Sequence, residues 1–518
     1  MEYVEKNLKN SLVLFILFLL GFLVYSNAIN GPFLFDDMNF IVYNSYVHSL
    51  SNFLNYFNSS LETGTAINLH VEVHNNFYRP LQQLASGILY HFWGLKFQVY
   101  HILSIFIHII NSFLLFIFFK RFSFSKIGSF AAALIFLMHP VQIEVVSYIS
   151  GLCYPMALMF LFSGLLIYLN IYDEKSKNKS LLKAILAAIL FCCAMLSVES
   201  AFIFCPLTIL ISIFFWNSYS KEERSFRTKN IVIYIILACL YIYLKLTVFN
   251  FQKGSFGLMA NQGIPYVQHL YVRIITFISI LIEYARLLIY PSQLCLDRPY
   301  IFYTTLFTYH GFFGLLIILA SLTASVFSFL KKTPVFVGIL WFFICLVPYI
   351  GLIPLNAIYT EHWLYFPIVG VLIIFAYCFV LVKVSKYKSI IIYALSIVLT
   401  LYGARVIERN NEWSNEIKFY KKELVYNPNS QRTHSNLALC YFVEKRYPEA
   451  IQHYKIAISL IDAYPECHNN LGVMYMEMGN LDLAENEFLQ ALKIDPNFIY
   501  SINGLSEVQS LKAQNKKL

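Results

Sequence analysis

Long apolar runs separated by short polar stretches dominate the first four-fifths of the chain. A membrane-spanning helix needs about 20 consecutive apolar residues, and eleven runs fit that requirement. The pattern therefore predicts an all-α, multi-span membrane domain over residues 1–406. The predicted spans cover residues 11–29, 97–119, 126–143, 152–170, 181–198, 201–217, 230–249, 306–330, 334–350, 363–382 and 389–406.

A twelfth apolar run, residues 266–290, differs from the others because Arg273, Glu283 and Arg286 interrupt it. Charged side chains are rare inside membrane spans, so we expect this run to be re-entrant or interfacial. The first apolar run is too long for the core of a signal peptide and lacks a small-residue cleavage site. We expect it to be a retained anchor.

Basic residues accumulate in alternate loops, which assigns those loops to the cytoplasm. The long loop 30–96 then faces the opposite side. With eleven crossings and a cytoplasmic N-terminus, everything after about residue 406 is expected on the non-cytoplasmic side. The basic residues used are Lys6, Lys9, Lys120, Arg121, Lys126, Lys175, Lys177, Lys179, Lys183, Lys221, Arg224, Arg227, Lys229, Lys331, Lys332, Lys383, Lys386 and Lys388.

The C-terminal hundred residues contain an internal repeat. The pattern Leu437-Ala438-x-x-Tyr441 returns as Leu471-Gly472-x-x-Tyr475, which is 34 residues later. This period, with small residues where paired helices cross, is typical of tetratricopeptide repeats. We predict a helical solenoid over residues 431–512, with full repeats at 431–498 and a capping helix from Leu505. A connecting helix is predicted over 407–430, and its part from Trp413 to Tyr426 is expected to pack on the first repeat.

Composition supports this division. The chain is 58% hydrophobic and 13% charged, with a mean hydropathy of +0.61, which excludes a soluble enzyme. The net charge of +9 comes mostly from loops that orient the spans, so we expect no nucleic-acid partner. The ten cysteines are scattered, without a CxxC pair. We therefore predict no disulfide framework and no metal site.

Two adjacent carboxylates, Asp36 and Asp37, follow the first span. An acid among aromatic residues at a membrane surface tends to have a raised pKa and can act as a general base. Alternatively, Asp37 caps a short helix that follows it. Farther along the same loop stands Arg79, which suits a phosphate group or could pair with either acid to hold the loop.

Three further polar clusters are predicted on the same face of the membrane domain, where they would form a polar cavity. Glu283 and Arg286 would add to its rim, although their spacing also suits an ion pair within one helix. The residues of the three clusters are His139 and Glu144, Glu199, and Glu361, His362 and Tyr365.

Such a cavity suits a sugar donor linked to a lipid phosphate, with the phosphate at the rim. An inverting displacement then needs a carboxylate to take the proton of the acceptor hydroxyl and cations to stabilise the departing phosphate. Asp36 or Asp37 would be the base. Arg79 or Arg286 would hold the phosphate, and no cofactor beyond the donor is expected.

The order of these motifs resembles the transmembrane and tetratricopeptide-repeat-containing O-mannosyltransferases, within the GT-C superfamily of multi-span glycosyltransferases, and their bacterial relatives. Charges common in that family are absent at three places: Gly151-Leu152-Cys153-Tyr154 stands where Gly-Arg-Ala-Asp is usual and lacks both charges, Val198 stands where Lys is usual, and His362 stands where Arg is common. The motifs are Phe35-Asp36-Asp37, Arg79-Pro80-Leu81, His139-Pro140 with Glu144, Ser197-x-Glu199, Tyr284-x-Arg286 with Pro291 and Asp297, Glu361-His362 through Pro367, and Arg409-Asn410 with Trp413.

The resemblance implies a GT-C fold, a polyprenyl- or dolichyl-phosphate-linked sugar as donor, and hydroxyls of Ser or Thr on proteins as acceptors. It assigns the catalytic acid position to Asp36, with Asp37 beside it. His139 and Glu144 would help to bind the donor phosphate, and Glu199, Glu361, His362 and Tyr365 would line the substrate cavity. The repeats would hold the acceptor protein.

Two other functions fit the same sequence. A non-catalytic membrane scaffold would recruit partners through its repeats, and a transporter would move a lipid-linked sugar across the membrane. The richness in Lys, Asn, Ile, Phe and Tyr favours a bacterial cytoplasmic membrane with the repeats outside. A eukaryotic source would imply the endoplasmic reticulum membrane.

Overall fold

The computed structural model describes residues 8–61, 77–173, 175–248, 264–382 and 384–515. Lys6, Lys383 and the middle of the 30–96 loop lie outside the described residues, as do the side chains of Lys386 and Lys388. Throughout the described ranges the regular structure is helical, without a β-strand. The predicted all-α class is confirmed.

We number the α-helices in chain order, and shorter 3-10 turns connect several of them. The helices are α1 (Asn10–Tyr25), α2 (Phe53–Tyr56), α3 (Pro80–Trp93), α4 (Phe97–Lys120), α5 (Lys126–Met138), α6 (Ile143–Val146), α7 (Cys153–Leu169), α8 (Lys177–Ser197), α9 (Phe204–Phe215), α10 (Lys221–Thr247), α11 (Pro265–Gln268), α12 (Leu270–Ile289), α13 (Tyr309–Leu330), α14 (Val335–Leu346), α15 (Ile368–Leu381), α16 (Ser385–Trp413), α17 (Glu416–Tyr426), α18 (Gln431–Val443), α19 (Tyr447–Leu460), α20 (Pro465–Glu477), α21 (Leu481–Ile494) and α22 (Ile499–Asn515).

Each of the eleven predicted runs coincides with an apolar helix or helix pair. Within the described residues, eight helices are long and apolar enough to cross a membrane, and one bent pair passes the same test. Two shorter apolar helices complete the set, at Val335–Tyr349 and Ile368–Leu381. The eight are Asn10–Asn30, Phe97–Lys120, Ile149–Leu169, Lys177–Ser197, Glu199–Ser218, Lys221–Thr247, Tyr309–Leu330 and Ser389–Trp413.

The third run is not the single straight span that was predicted over 126–143. It bends by 50° between α5 and the segment Pro140–Val146. Pro140 has no backbone N–H to continue the helical ladder, and the residue before a proline avoids helical geometry. His139 is accordingly extended, with φ −67° and ψ 125°. The bend turns the polar residues after Pro140 out of the line of the helix.

The connecting helix predicted over 407–430 is also divided. Helix α16 continues to Trp413, and α17 begins separately at Glu416. The break falls where the Asn415 side chain accepts a hydrogen bond from the backbone N–H of Lys418 at 2.9 Å. Asparagine is favoured at such a cap because it satisfies a backbone donor that has no partner within the helix. Residues 407–430 therefore belong to two helices.

The run 266–290 contains one continuous 20-residue helix, α12, rather than a re-entrant hairpin. Its charged groups have internal partners. The Arg273 guanidinium donates to the carbonyl oxygens of Gly351, Tyr266 and Val267. The ion pair within the helix is confirmed, because Arg286 Nε lies 2.8 Å from Glu283 Oε2. The three charged residues of this run therefore lie within an unbroken helix.

The described chain forms two compact units. The first reaches Asn411 and contains α1 to α15 with most of α16. The second contains the residues from Glu412 onward together with the short segment Cys295–Pro299. In the second unit, α18 to α21 form two antiparallel helix pairs and α22 follows them. A side chain at Gly472 or Gly504 would collide with the ring of Phe488, so small residues permit the close helix crossing.

One buried carboxylate holds the segment Cys295–Pro299 within the second unit. Glu423 Oε2 accepts hydrogen bonds from the backbone N–H of Leu296 at 2.8 Å and of Asp297 at 3.1 Å. Asp297 in turn accepts from the hydroxyls of Ser430 and Thr433 at the start of α18. Buried carboxylates are stabilised by such donors. The segment is therefore a strap fixed to the first repeat.

Candidate active site

The polar residues of the first unit meet at one short stretch, residues 144–154, which we call the hub. It contains the end of α6, a 3-10 turn at Ile149–Leu152 and the start of α7. Every residue of the hub is buried. Its polar groups contact the loop after α1, the start of α3 and the turn before α15. The contacts below show how these distant parts of the sequence come together.

Asp37 is anchored to the hub. One carboxylate oxygen accepts the backbone N–H of Ser150 at 2.8 Å and the Ser150 hydroxyl, and the other accepts the backbone N–H of Leu34 at 3.0 Å. The alternative of a capped helix does not apply, because Asp37 makes no side-chain cap bond to the following turn. Burial raises the pKa of Asp37 to about 7, although its hydrogen bonds to Leu34 and Ser150 oppose the rise. Asp37 positions the loop.

Asp36 is the more accessible of the two acids, since it is half-buried while Asp37 is 1% exposed. Its backbone N–H donates to the Tyr148 hydroxyl of the hub at 2.9 Å. The preceding residue, Phe35, has a φ of 48°, a left-handed conformation that bulky residues rarely adopt. Such strain costs roughly 1–3 kcal/mol and persists only where the surroundings enforce it. The hub thus fixes the position of Asp36.

Arg79 forms an ion pair with Glu199, and not with either aspartate. Its Nε lies 3.0 Å from Glu199 Oε2, while the other carboxylate oxygen accepts the backbone N–H of Tyr78 at 2.7 Å. Arg79 Nη1 donates to Cys153 Sγ of the hub at 3.4 Å, and its guanidinium lies over the Phe77 ring. Burial by itself lowers the pKa of Arg79, but Cys153 and Glu199 raise it above the ordinary value. The cation is permanent and buried.

Glu144 and His362 form a second pair at the hub. The imidazole Nδ1 lies 2.5 Å from Glu144 Oε1, and the backbone N–H of His362 donates to Oε2 at 3.0 Å. Glu144 is buried, whereas a quarter of the His362 side chain is exposed. The ring also lies 5.0 Å from that of Tyr154. A carboxylate that holds Nδ1–H orients the imidazole and leaves Nε2 as the outer nitrogen.

Two predicted site residues serve the packing of helices. His139 donates from Nε2 to the Leu288 carbonyl at 3.1 Å, and its Nδ1 accepts the backbone N–H of Val141 at 3.2 Å. Tyr365 is fully buried, and its hydroxyl lies 2.9 Å from His108 Nδ1 and 3.1 Å from Asn111 Nδ2. Because backbone and core groups occupy these polar atoms, both residues fix helices behind the site.

The remaining predicted residues lie at the margin. Arg286 contacts Glu283 and also donates to the Ser292 carbonyl at 3.2 Å, with about a quarter of its side chain exposed. Glu361 is buried beside His362. No described contact joins Arg286 to the hub, so the structure groups Asp36, Asp37, Arg79, Glu144, Glu199 and His362 and leaves Arg286 in a separate polar cluster.

Several residues that contact the site were not indicated by the sequence pattern. Tyr148, Ser150 and Cys153 contact Asp36, Asp37 and Arg79 respectively, and Gln82 donates to the Ser150 carbonyl at 2.9 Å. Tyr148 and Ser150 are uncharged residues within an apolar stretch, Gln82 follows the Arg79-Pro80-Leu81 motif without being part of it, and Cys153 was noted only as a departure from the family pattern. The described residues contain no group of three or more His, Cys, Asp or Glu arranged to hold a metal ion.

The two units define the class: a multi-span helical membrane protein with a buried polar site and a tetratricopeptide-repeat unit. Family models support the second part. A tetratricopeptide repeat model matches residues 465–498, and a TPR repeat model matches residues 440–479. The repeat period predicted from the sequence is confirmed.

Curated relatives cover both units. The chain is 23% identical to "Protein O-mannosyl-transferase TMTC3" of Homo sapiens over 510 residues. This alignment covers 92% of this chain and 54% of the relative. It is 25% identical over 473 residues to "Protein O-mannosyl-transferase F38B6.6" of Caenorhabditis elegans, covering 88% and 63%. "Hsp70-Hsp90 organizing protein 2" of Arabidopsis thaliana matches at 25% over 128 residues, which is 24% of this chain and 22% of the relative.

These relatives confirm the resemblance that the motifs indicated. The similarity to proteins named O-mannosyl-transferases extends over nearly the whole chain, through the membrane unit and into the repeats. The chain spans little more than half the length of the curated relatives it matches.

Proposed function

We propose that the chain is a membrane glycosyltransferase that moves a sugar, mannose or a similar hexose, from a polyprenyl- or dolichyl-phosphate to hydroxyls of proteins on the non-cytoplasmic side. The observation that carries this proposal is the hub. It brings the Arg79–Glu199 ion pair, the hydrogen-bonded Glu144–His362 pair and an accessible carboxylate to one place, from regions separated by up to 218 residues of sequence. Burying charged groups costs free energy because they lose their hydration. A core that served packing alone would not need them.

In the proposed reaction, the acceptor oxygen forms a bond to the anomeric carbon of the sugar as the bond from that carbon to the phosphate oxygen breaks. The Asp36 carboxylate takes the acceptor proton, and the electron pair of the broken bond leaves with the lipid phosphate. Asp37 holds the loop that carries Asp36. The positive charge of Arg79 near the departing phosphate stabilises the transition state, and His362 lines the cavity beside it.

The repeats are proposed to hold the acceptor. Tetratricopeptide stacks present an extended surface that suits a protein segment. Similarity to a protein named Hsp70-Hsp90 organizing protein 2 agrees with a role in protein binding. The host membrane is proposed to be a bacterial cytoplasmic membrane with the second unit outside, or the endoplasmic reticulum membrane in a eukaryote. No resident cofactor is proposed.

The test is transfer of labelled sugar from a panel of polyprenyl-phosphate sugars to protein in vesicles that contain the full chain. Asp36→Asn should abolish transfer with normal abundance, because loss of a general base typically lowers rates by about 10²–10⁴. Glu222→Gln is the matched control, since Glu222 is an exposed acid at the start of α10, in a loop predicted on the opposite side. Equal transfer by Asp36→Asn would show that Asp36 is not the base, whereas no transfer by the abundant wild type would favour the scaffold.

A further inference from the structure

Helix α17, the first complete helix of the second unit, carries its basic residues on one face. Lys418, Lys421 and Lys422 occupy positions i, i+3 and i+4, and Val425 continues the row one turn further on. Residues at these spacings are neighbours on the surface of a helix. Lys418 and Lys421 are exposed, and Val425 is 70% exposed. We call this row the basic face.

The opposite face of α17 is fixed inside the second unit. Phe419 and Tyr420 are buried, and the buried carboxylate of Glu423 holds the backbone of the strap. The Phe419 ring also lies 4.7 Å from the ring of Trp413, the last residue of α16. Because a rotation of α17 would break all of these contacts, the basic face stays on the outside.

An open groove of about 480 Å³ runs along the basic face. The three lysines line it together with two apolar side chains, Ile417 and Val425. One acid, Glu412, also lines the groove and lies 3.7 Å from Lys422. Lysines therefore outnumber acids three to one among the lining residues. A groove with cationic and apolar parts suits a ligand that has an anionic group beside an apolar one.

The position of α17 in the chain brings the basic face next to a membrane. The preceding helix, α16, contains a candidate span over Ser389–Trp413 and exposes apolar side chains such as Ile397 and Leu401. Helix α17 begins at Glu416, three residues after this span ends. Lysines immediately beside a span are attracted to anionic lipid headgroups, by about fivefold for each charge.

We propose that the basic face of α17 binds the headgroups of anionic phospholipids and so holds this end of the second unit at the membrane surface. The lysine ammonium groups contact the lipid phosphates, while Ile417 and Val425 contact the upper part of the acyl chains. Lipid is favoured over free phosphate or an acidic protein segment because the covalent link to the span keeps headgroups within reach. Lipid binding here is independent of the proposed sugar transfer, since no residue of the hub takes part.

The test uses the full chain in vesicles of neutral phosphatidylcholine, with or without added phosphatidylglycerol. The exposed cysteines Cys239 and Cys378 are first replaced by serine. A nitroxide label is then introduced by Val425→Cys, and its accessibility to oxygen, which concentrates in lipid, is compared with its accessibility to a water-soluble nickel complex. A label introduced by Leu483→Cys on α21, where the side chain is 50% exposed, is the reference elsewhere in the second unit.

The expected result is an oxygen-to-nickel ratio at position 425 that rises when phosphatidylglycerol is present and falls again at high salt, because salt screens the attraction between charges. The ratio at position 483 should not change. An equal ratio at 425 in the two kinds of vesicle would overturn the proposal. Protection of the label from both reagents would also overturn it, since a protein would then cover the face.

Variants separate the basic face from the overall charge of the unit. The double variant Lys418→Gln and Lys421→Gln should weaken the response to phosphatidylglycerol by about 25-fold, at about fivefold for each lysine. The matched control is Lys455→Gln with Lys493→Gln, two exposed lysines on α19 and α21, and it should keep the response. An equal loss in the control would contradict a specific site on α17. Lys421→Gln alone, with about a fivefold effect, replaces the double variant if that variant fails to fold.

Inorganic phosphate, added at constant ionic strength, distinguishes the two sources of the anionic group. A headgroup site should keep its response to phosphatidylglycerol, because the membrane presents many phosphates to several lysines at once. Loss of the response on addition of inorganic phosphate would show that the groove of α17 binds free phosphate, and the assignment to lipid would be wrong.

Discussion

In the repeat unit, His434 and His468 stand 34 residues apart at the same place in successive repeats, and each contacts the residue 19 positions further on. In the membrane unit, the polar contacts at the hub and beside it join residues 113, 120 and 218 positions apart, and none of them recurs. The first arrangement is local and periodic, whereas the second depends on the whole packing of the unit. Polar groups in the hub should therefore respond more strongly to substitution.

The two histidines also show how one partner sets the charge of a group. His434 Nδ1 lies 2.8 Å from Nδ1 of His453, and burial lowers the pKa of His434. At the matching position in the next repeat, His468 Nδ1 lies 2.6 Å from Glu487, whose hydrogen bond raises the pKa of His468. The same fold thus favours the neutral form of the histidine at one position and the charged form at the other.

The largest effect is expected from Glu199→Gln, which leaves Arg79 buried without its counter-charge. Breaking a buried ion pair by removing one partner typically costs about 3–5 kcal/mol, so the variant should show a large fall in Tm in detergent and reduced abundance. The Tm of Glu199→Gln is measured beside that of the double variant Arg79→Gln and Glu199→Gln. Recovery of Tm in the double variant is expected, because no charge is then left unpaired.

If Glu199→Gln were as stable as the wild type, the ion pair would not hold the start of α3 against the hub. The expectation that substitutions at the hub destabilise the protein more than substitutions in the repeats would then be wrong. Equal damage in single and double variants would instead show that shape, rather than charge, is what the site requires.

A dependence on pH is expected from Asp37. Its folded pKa is raised to about 7 from an ordinary value of 3.8, so the folded state keeps a proton that the unfolded state releases. This contribution to stability is full below pH 4 and is lost as the pH rises through 7, with a slope of at most about 1.4 kcal/mol per pH unit. Thermal unfolding of Asp37→Asn should lack this component of the wild-type pH profile. Identical profiles would contradict the assignment.

The sequence was most informative where its pattern was periodic or continuous. The apolar runs located the spans, and the 34-residue period located the repeats, since both depend on neighbours along the chain. The bend at Pro140 and the division at Asn415 depend on single residues inside such patterns, and the continuous α12 depends on internal partners for its charges. Run length alone did not show these details.

The candidate site was predicted only as a set of charged residues. The sequence indicated Asp36, Arg79 and Glu199. It left two alternatives open for Arg79, a phosphate contact or a pair with Asp36 or Asp37, and it did not indicate the partner Glu199, which is 120 positions away. The hub residues Tyr148 and Ser150 carry no charge and no motif of their own. Their role is visible only when the bend after α5 brings them against the loop that follows α1.

The two histidine positions can be exchanged to test the comparison within the repeats. His453→Glu should raise the pKa of His434, because an adjacent opposite charge typically shifts a pKa by about 1–3. Glu487→His should lower the pKa of His468. Both pKa values are measured by titrating the full chain with isotope-labelled histidine. The variant His434→Gln identifies the signal of His434. Unchanged pKa values would show that burial, and not the partner, sets the charge.

The smallest effect on stability is expected from Arg286→Gln in the separate polar cluster. Its pair with Glu283 lies within one helix and is about a quarter exposed on both sides, so solvent screens the interaction and its loss should change stability by less than about 1 kcal/mol. The Tm of Arg286→Gln in detergent should therefore stay close to that of the wild type. A second measurement, the binding of polyprenyl phosphate to the same variant, shows whether the Arg286 guanidinium contacts the donor. Normal Tm with weakened binding would extend the site to α12. Normal Tm with normal binding would confine donor recognition to the hub. A large fall in Tm would show that partly exposed charges in this unit matter as much as buried ones.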